Sequence, residues 1–223
     1  MDKKKKGDYI PALKYHWMTR FYDPIIQWGM QEKKFKTHLV KQANLQPKET
    51  IMDLACGTGT LALLIQQSQP GVQVIGVDAD PEILSIAKEK IKETLVNNIT
   101  FEEGFSDKLP FSNNKFHHIF TSLFIHHLTL EMKKKTFEEI YRTLKTGGQF
   151  HIIDFEKPQN WLMRVAFFPI QFLDGFETTS NHVKGIIPSL LKETGFVLIE
   201  ETGRFSTITG TLRSYKAFKP KVV

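Results

Sequence analysis

Cysteine is almost absent: Cys56 is the single one in 223 residues. An intramolecular disulfide is therefore excluded, and so is a metal site built from thiolates. Long apolar runs are missing as well. The longest candidate, 161–173, is interrupted by Arg164, Pro169 and Gln171. No stretch reaches the ~18 apolar residues of a membrane-spanning helix. Behind Met1 and Asp2 come four lysines with no apolar stretch after them, which is not the pattern of a secretory signal. A cytoplasmic location is the resulting expectation. Internal repeats and low-complexity linkers are also lacking.

What is present is an ordinary globular balance, 41% apolar and 24% charged. The length suits one large domain with a sizeable core. The net charge is +6, much of it in the runs 3–6 and 133–135. The plain reading is a basic tail and a solvated helix face. Attraction to an anionic surface is the sharper one, and peripheral membrane contact stays open. No aromatic residues interleave with the lysines, so nucleic acid is not an expected partner.

Residues 8–45 read as helical, with Tyr15, Trp17, Phe21, Tyr22 and Trp28 among them. Short apolar runs then predict buried strands at 50–54, 73–77, 99–103, 116–122 and 149–153. Helical periodicity separates most of them. Pro81 opens one helix. Phe137, Ile140, Tyr141 and Leu144 form the core stripe of another, which Gly147-Gly148 is expected to end. Strands alternating with helices imply a parallel sheet with right-handed crossovers. Two late strands, 196–201 and 212–218, have no helix between them and should run antiparallel. Between lies 155–185, with Phe167, Phe168, Phe172 and Phe176, read as a helical flap over the sheet. Its rings are expected to close on the site and select an apolar or aromatic acceptor.

Open parallel sheets bind ligands at the carboxyl ends of their strands. After the first strand comes Asp53-Leu54-Ala55-Cys56-Gly57-Thr58-Gly59-Thr60, whose small residues admit a ligand to the backbone. After the second comes Asp78, 21 residues past Gly57. An acid there can accept both hydroxyls of a ribose. This glycine pattern also matches a nicotinamide-dinucleotide fingerprint, and Asp78 suits that cofactor too. Asp53 discriminates. Its negative charge would repel a pyrophosphate and welcome an ammonium.

These residues resemble class I S-adenosylmethionine-dependent methyltransferases. Ile51-Met52-Asp53-Leu54-Ala55-Cys56-Gly57-Thr58-Gly59 is similar to their motif I and Val77-Asp78-Ala79-Asp80 to motif II. Leu109-Pro110-Phe111, Phe124-Ile125-His126-His127-Leu128 and Leu144-Lys145-Thr146-Gly147-Gly148 follow in the family's order. The set resembles the branch of ubiquinone/menaquinone-biosynthesis C-methyltransferases, best over 45–155. The resemblance implies a doubly wound, Rossmann-like α/β fold: five parallel strands, a C-terminal antiparallel pair, and helices on both faces. The expected plan is a single domain: an N-terminal cap (1–45), a cofactor core (46–154), the flap (155–185) and a C-terminal helix with the strand pair (186–223).

The cofactor it implies is S-adenosyl-L-methionine, leaving as S-adenosyl-L-homocysteine. Asp53, Ala55, Gly57 and Gly59 would surround the methionine portion, Asp78 the ribose and Ala79 the adenine, with Cys56 of the same loop also in the cofactor set. Ser106, Asp107, Ser122 and Tyr22 complete the expected cofactor set. The family's adenine-binding acid is replaced here by Phe105, for which Asp107 is the candidate substitute. Phe116-His117 stands where the family has Phe-Asp, a position expected to be structural. No Asn/Asp-Pro-Pro motif follows the fourth strand, and Cys56 lies in the cofactor loop, so nucleobase methylation is not expected. The pairs His117-His118 and His126-His127 are not expected to chelate a metal, since adjacent strand residues point to opposite faces.

Methyl transfer from a sulfonium needs alignment more than side-chain chemistry. Where a proton must leave, His126 and His127 are the candidate bases. His127 is favoured as the one turned inward, with Tyr22 and Asp154 as alternative polar groups. The expected function is methyl transfer to a small apolar or aromatic acceptor. An oxidoreductase and a non-catalytic cofactor-binding protein are the alternatives.

Overall fold

A computed structural model describes residues 32–94 and 96–221. The elements are α1 (Glu32–Lys41), β1 (Thr50–Leu54), α2 (Thr60–Ser68), β2 (Gln73–Asp78), α3 (Pro81–Lys92), β3 (Ile99–Glu103) and β4 (Phe116–Ser122). After a 3-10 turn at Ile125–His127 come α4 (Leu130–Thr143), β5 (Leu144–Phe155), α5 (Trp161–Ala166), α6 (Phe168–Asp174) and α7 (Phe176–Val183). The chain continues with α8 (Ile187–Thr194), β6 (Val197–Thr207) and β7 (Gly210–Phe218). Tyr22 and the lysines at 3–6 lie outside the described residues.

The strands form one sheet in the order β3-β2-β1-β4-β5-β7-β6. The first five run parallel and β7 is antiparallel to both β5 and β6. The central strands are buried on both faces, which is why they read as unbroken apolar runs. One face packs Phe35 and Leu39 of α1 and Leu61 and Ile65 of α2. The other packs Phe137 and Ile140 of α4 and Leu190 and Leu191 of α8. Side chains at the N-terminal edge tie the strands together. His117 Nδ1 accepts from Thr50 N at 2.9 Å. His118 bonds His151 on β5 at 3.1 Å.

Three expectations change. The helix of 130–143 does not run to Gly147-Gly148, because Leu144 already pairs with Phe116. The glycines lie inside β5, at the point where its register against β4 shifts between Phe116 and His118. Gly147 takes φ +77°, and a Cβ on Gly148 would sit 2.8 Å from Lys145 O and 2.9 Å from His117 O. These are the marks of a β-bulge, which turn-like sequence disguises. The late strands are also longer than expected, meeting in a tight turn at Ile208-Thr209. Finally, Lys133 is not solvated. It is fully buried, and its Nζ donates to Thr178 O at 2.6 Å, tying α4 to α7.

The bulge gives a prediction. The groups crowding Gly148 are backbone carbonyls and cannot rotate away. Gly148→Ala is expected to cost about 1–3 kcal/mol. A melting temperature within error of the parent would show that the bulge absorbs a side chain.

Candidate active site

The carboxyl ends of β1, β2, β4 and β5 meet at the middle of the sheet. β1 delivers Asp53 into the interior, 1% exposed. One of its oxygens, Oδ2, has no hydrogen-bond partner among the described residues. Burial pushes its pKa up to about 7. The Lys36 charge and a hydrogen bond from the Ala62 backbone oppose that rise. The chain then turns through Ala55 at φ 56° and Gly57 at φ 54°. A Cβ built on Gly57 would meet nothing within 4 Å, so the loop borders open space. Gly59 is confined instead, with Phe101 Cζ 2.9 Å from where its Cβ would lie. Its helix-starting φ of +75° adds to the demand for glycine.

Asp78, at the end of β2, locks this loop. Its Oδ2 accepts from Gly57 N at 2.9 Å and its Oδ1 from Asp80 N at 3.1 Å. Burial raises its pKa, and these backbone bonds oppose the rise. Each oxygen keeps acceptor capacity for a ligand. Asp80 caps α3 by accepting from Glu82 N and Ile83 N. The loop residue Ala79 is half-buried between them. Cys56 is buried, which pushes its thiol pKa up, so it serves as packing.

An unpartnered buried carboxylate oxygen, an open glycine edge and an acid at the end of β2 suit a ligand with an ammonium and a ribose. S-adenosylmethionine has both. Asp53, Gly57, Gly59 and Asp78 could hold it. Ser106 is turned elsewhere, its hydroxyl 2.8 Å from Thr136 Oγ1 on α4. Phe105 is exposed, and Asp107 and Ser122 are half-buried.

A second polar cluster adjoins the ends of β4 and β5. Asp154 is fully buried and accepts through Oδ2 from Ile125 N at 2.7 Å, Phe124 N at 3.2 Å and His126 N at 3.3 Å. Its Oδ1 accepts from Phe155 N at 2.7 Å and lies 2.5 Å from His126 Nδ1. Burial alone would raise this carboxyl's pKa. The charge and hydrogen bond of His126 outweigh it and hold the group well below the usual carboxylate range. An ionised Asp154 makes Nδ1 of His126 the donor, leaving Nε2 as the ring's basic atom.

His126 is therefore the inward residue and His127 the half-buried one, the reverse of the expected orientation. The reason is the turn that Asp154 holds. The pair sits on a 3-10 turn rather than a strand, so strand alternation does not apply.

The flap is helical, and its orientation is a surprise. Only Phe167 of the four phenylalanines is buried, against Phe155 at 5.0 Å. Phe168, Phe172 and Phe176 face outward. The inward residues are Gln171, Thr178, Thr179 and His182. His182 lies 6.3 Å from His126, centroid to centroid, and its Nδ1 is 2.6 Å from Phe155 O. Its Nε2 has no hydrogen-bond partner among the described residues. Burial lowers its pKa to about 4, so the ring is neutral near pH 7. Glu156, beside it, is raised by burial to about 8. Sequence reasoning missed Lys133, Glu156 and His182, for each lies outside any motif.

The model of the ubiE/COQ5 methyltransferase family matches residues 14–174. The chain belongs to that family. It is 33% identical to the demethylmenaquinone methyltransferase of Symbiobacterium thermophilum over 74% of this chain and 66% of that one. It is 22% identical to a ubiquinone/menaquinone biosynthesis C-methyltransferase of Shewanella pealeana, over 97% of this chain and 94% of that one. Its fold matches a Haemonchus contortus phosphoethanolamine N-methyltransferase, solved with S-adenosylhomocysteine, with TM-score 0.69 and 20% identity over 84% of this chain and 53% of that one. This member is an S-adenosylmethionine-dependent methyltransferase with the Rossmann-like sheet of the class. Among the described residues no helix is long and apolar enough to cross a membrane.

The buried Asp53 makes stability depend on pH in this methyltransferase. Its folded pKa is raised from 3.8 to about 7. The unfolded chain therefore ionises first as pH rises. Stability from this group is full below about pH 4 and is lost as pH climbs toward 7. Relative to Asp53→Asn, the ligand-free parent should lose up to about 4 kcal/mol across that window. Urea unfolding of both proteins at several pH values measures the difference. A constant difference would show that Asp53 is ionised throughout.

Proposed function

We propose that this methyltransferase, acting in the cytoplasm, methylates a ring carbon of a hydroxylated aromatic acceptor of the quinol type. The observation that carries the chemistry is the buried Asp154–His126 pair at the carboxyl ends of β4 and β5. Support for the acceptor comes from the relatives, named for demethylmenaquinone and ubiquinone/menaquinone biosynthesis. The inner face of α6 and α7 adds polar groups suited to a ring oxygen: Gln171, Thr179 and His182.

Asp53 would face the cofactor's ammonium, Asp78 would accept from the ribose hydroxyls, and Ala79 would flank the adenine. The backbone around Gly57 and Gly59 would lie along the methionine portion. Bound there, S-adenosylmethionine supplies a methyl group on a sulfonium, poised for in-line displacement. A hydroxyl on the acceptor ring makes the carbon beside it nucleophilic as its proton is withdrawn. Nε2 of His126 would take that proton, while Asp154 would hold the tautomer and stabilise the imidazolium. Once the new carbon–carbon bond forms, the His126 imidazolium returns its proton to the ring oxygen while the proton on the methylated carbon passes to solvent, so the aromatic ring is restored with one proton released overall. His127, half-buried on the same turn, is assigned a supporting role.

Two outcomes test this reading. Asp78→Ala should weaken S-adenosylhomocysteine binding about 10- to 150-fold, by losing a charge-assisted hydrogen bond and the tether on Gly57. Calorimetry reads it directly, and an unchanged affinity in the folded variant removes Asp78 from the cofactor site. His126→Ala should lower the rate of transfer to a short-tailed naphthoquinol by about 10²-fold or more. Its affinity for S-adenosylhomocysteine should stay near that of the parent, and His127→Ala should change the rate only a few-fold. A His126→Ala enzyme with parental rate and parental acid limb would eliminate the base.

A further inference from the structure

His182 is tied into the fold by half of its ring. Nδ1 donates to Phe155 O at 2.6 Å, which holds α7 to the end of β5. A carbonyl only accepts, so the ring proton sits on Nδ1 and Nε2 carries a lone pair. Burial lowers the ring's pKa to about 4 and keeps it in that neutral form near pH 7. Nε2 is buried and has no hydrogen-bond partner among the described residues. Glu156 does not serve it. Its Oε1 lies 4.0 Å from Nδ1 and accepts from Ile187 N at 3.5 Å, while its Oε2 accepts from the Tyr215 hydroxyl at 3.3 Å.

Gln171, on α6, repeats the pattern. Its Nε2 donates to Thr179 Oγ1 at 3.2 Å, and that hydroxyl donates in turn to Gly175 O at 2.8 Å. The threonine proton is thereby used, which fixes the amide nitrogen on that side. The amide oxygen, Oε1, is buried and again has no partner among the described residues. The inner face of the flap thus holds two buried acceptors that lack a donor among the described residues. A ligand presenting only carbonyl or anionic oxygens would leave both unserved. A ligand that brings hydroxyl hydrogens suits them.

His182 is also near the chemistry. α7 packs on the turn that carries His126, and the two imidazoles lie 6.3 Å apart, edge to face. In the mechanism proposed above, His126 would serve the hydroxyl beside the reacting carbon. A quinol carries a second hydroxyl across the ring, whose proton also needs an acceptor.

We propose that Nε2 of His182 accepts a hydrogen bond from the second hydroxyl of the acceptor ring and makes the diol, rather than the lone phenol, the substrate. This rests on the quinol-type acceptor proposed above. Tying α7 to β5 needs Nδ1 alone; reading the ligand is the work of Nε2. A ring with one hydroxyl leaves that lone pair buried and unserved, and a site built to bond a hydroxyl rejects such an analogue strongly.

The test compares kcat/KM for a short-tailed naphthoquinol with that for the matching naphthol that lacks the second hydroxyl, both under anaerobic conditions. The missing hydroxyl is meta to the carbon methylated, so its removal alters that carbon's nucleophilicity little. The parent should prefer the quinol by about 10²-fold or more. His182→Asn keeps a nitrogen that can donate to Phe155 O and deletes Nε2. Its preference should fall to about threefold or less, through loss on the quinol. His182→Gln, whose longer amide can bring an oxygen to the position of Nε2, should keep a preference of about tenfold or more. Both variants should bind S-adenosylhomocysteine as the parent does. A parent that uses quinol and naphthol alike overturns the subsite and leaves the acceptor standing. So does an asparagine variant with the parental ratio, or one that loses both substrates equally and retains that ratio, as a purely structural histidine would. A parent that transfers to neither refutes the quinol acceptor, and the subsite falls with it.

Discussion

The carboxylate of Asp154 is the constraint around which the active side of this protein is arranged. A full negative charge in the interior is tolerable only when its lone pairs are occupied. Here four backbone N–H groups and the His126 ring occupy them. Satisfying that charge winds 124–126 into a tight turn at the end of β4 and aims His126 inward. The flap answers the same cluster, through His182 on one side and Lys133 bonded to Thr178 on the other. Polar burial on this scale costs folding energy and secures a unique geometry where chemistry needs it.

The cofactor side follows a related logic with the opposite bias. Asp53 is buried with one oxygen unpartnered among the described residues, and burial raises its pKa to about 7. A cation arriving beside it would supply the missing counter-charge. Asp78 is better served, since the backbone of Gly57 and Asp80 already bonds it. One acid holds the loop in shape; the other keeps an oxygen unpartnered among the described residues. Both positions depend on the parallel register of β1 with β2, which sets Asp53 beside Gly76 and brings the two strand ends together.

The flap shows how a composition can mislead. Its phenylalanines suggest a greasy lid, but three of those rings point to the outside and the polar residues point in. The inner surface is thus polar and the outer one apolar.

Sequence alone determined the alternating architecture, the antiparallel finish and the acids at the ends of the first two strands, because each is encoded locally. Strand 50–54 announces itself by an unbroken apolar run, and Asp53, Gly57 and Asp78 by their place at strand ends. The bulge at Gly147-Gly148 was hidden, since a glycine pair signals a turn equally well inside a strand and after a helix. The inward turn of His126, the burial of Lys133 and the arrival of His182 at the site were decided by tertiary structure. His182 lies 56 residues from His126 in the chain, and only the packing of α7 against the end of β4 makes them neighbours. Periodicity can say that a helix has two faces. Which face turns inward depends on the partners it finds there, and the buried charge of Asp154 makes polar partners favourable.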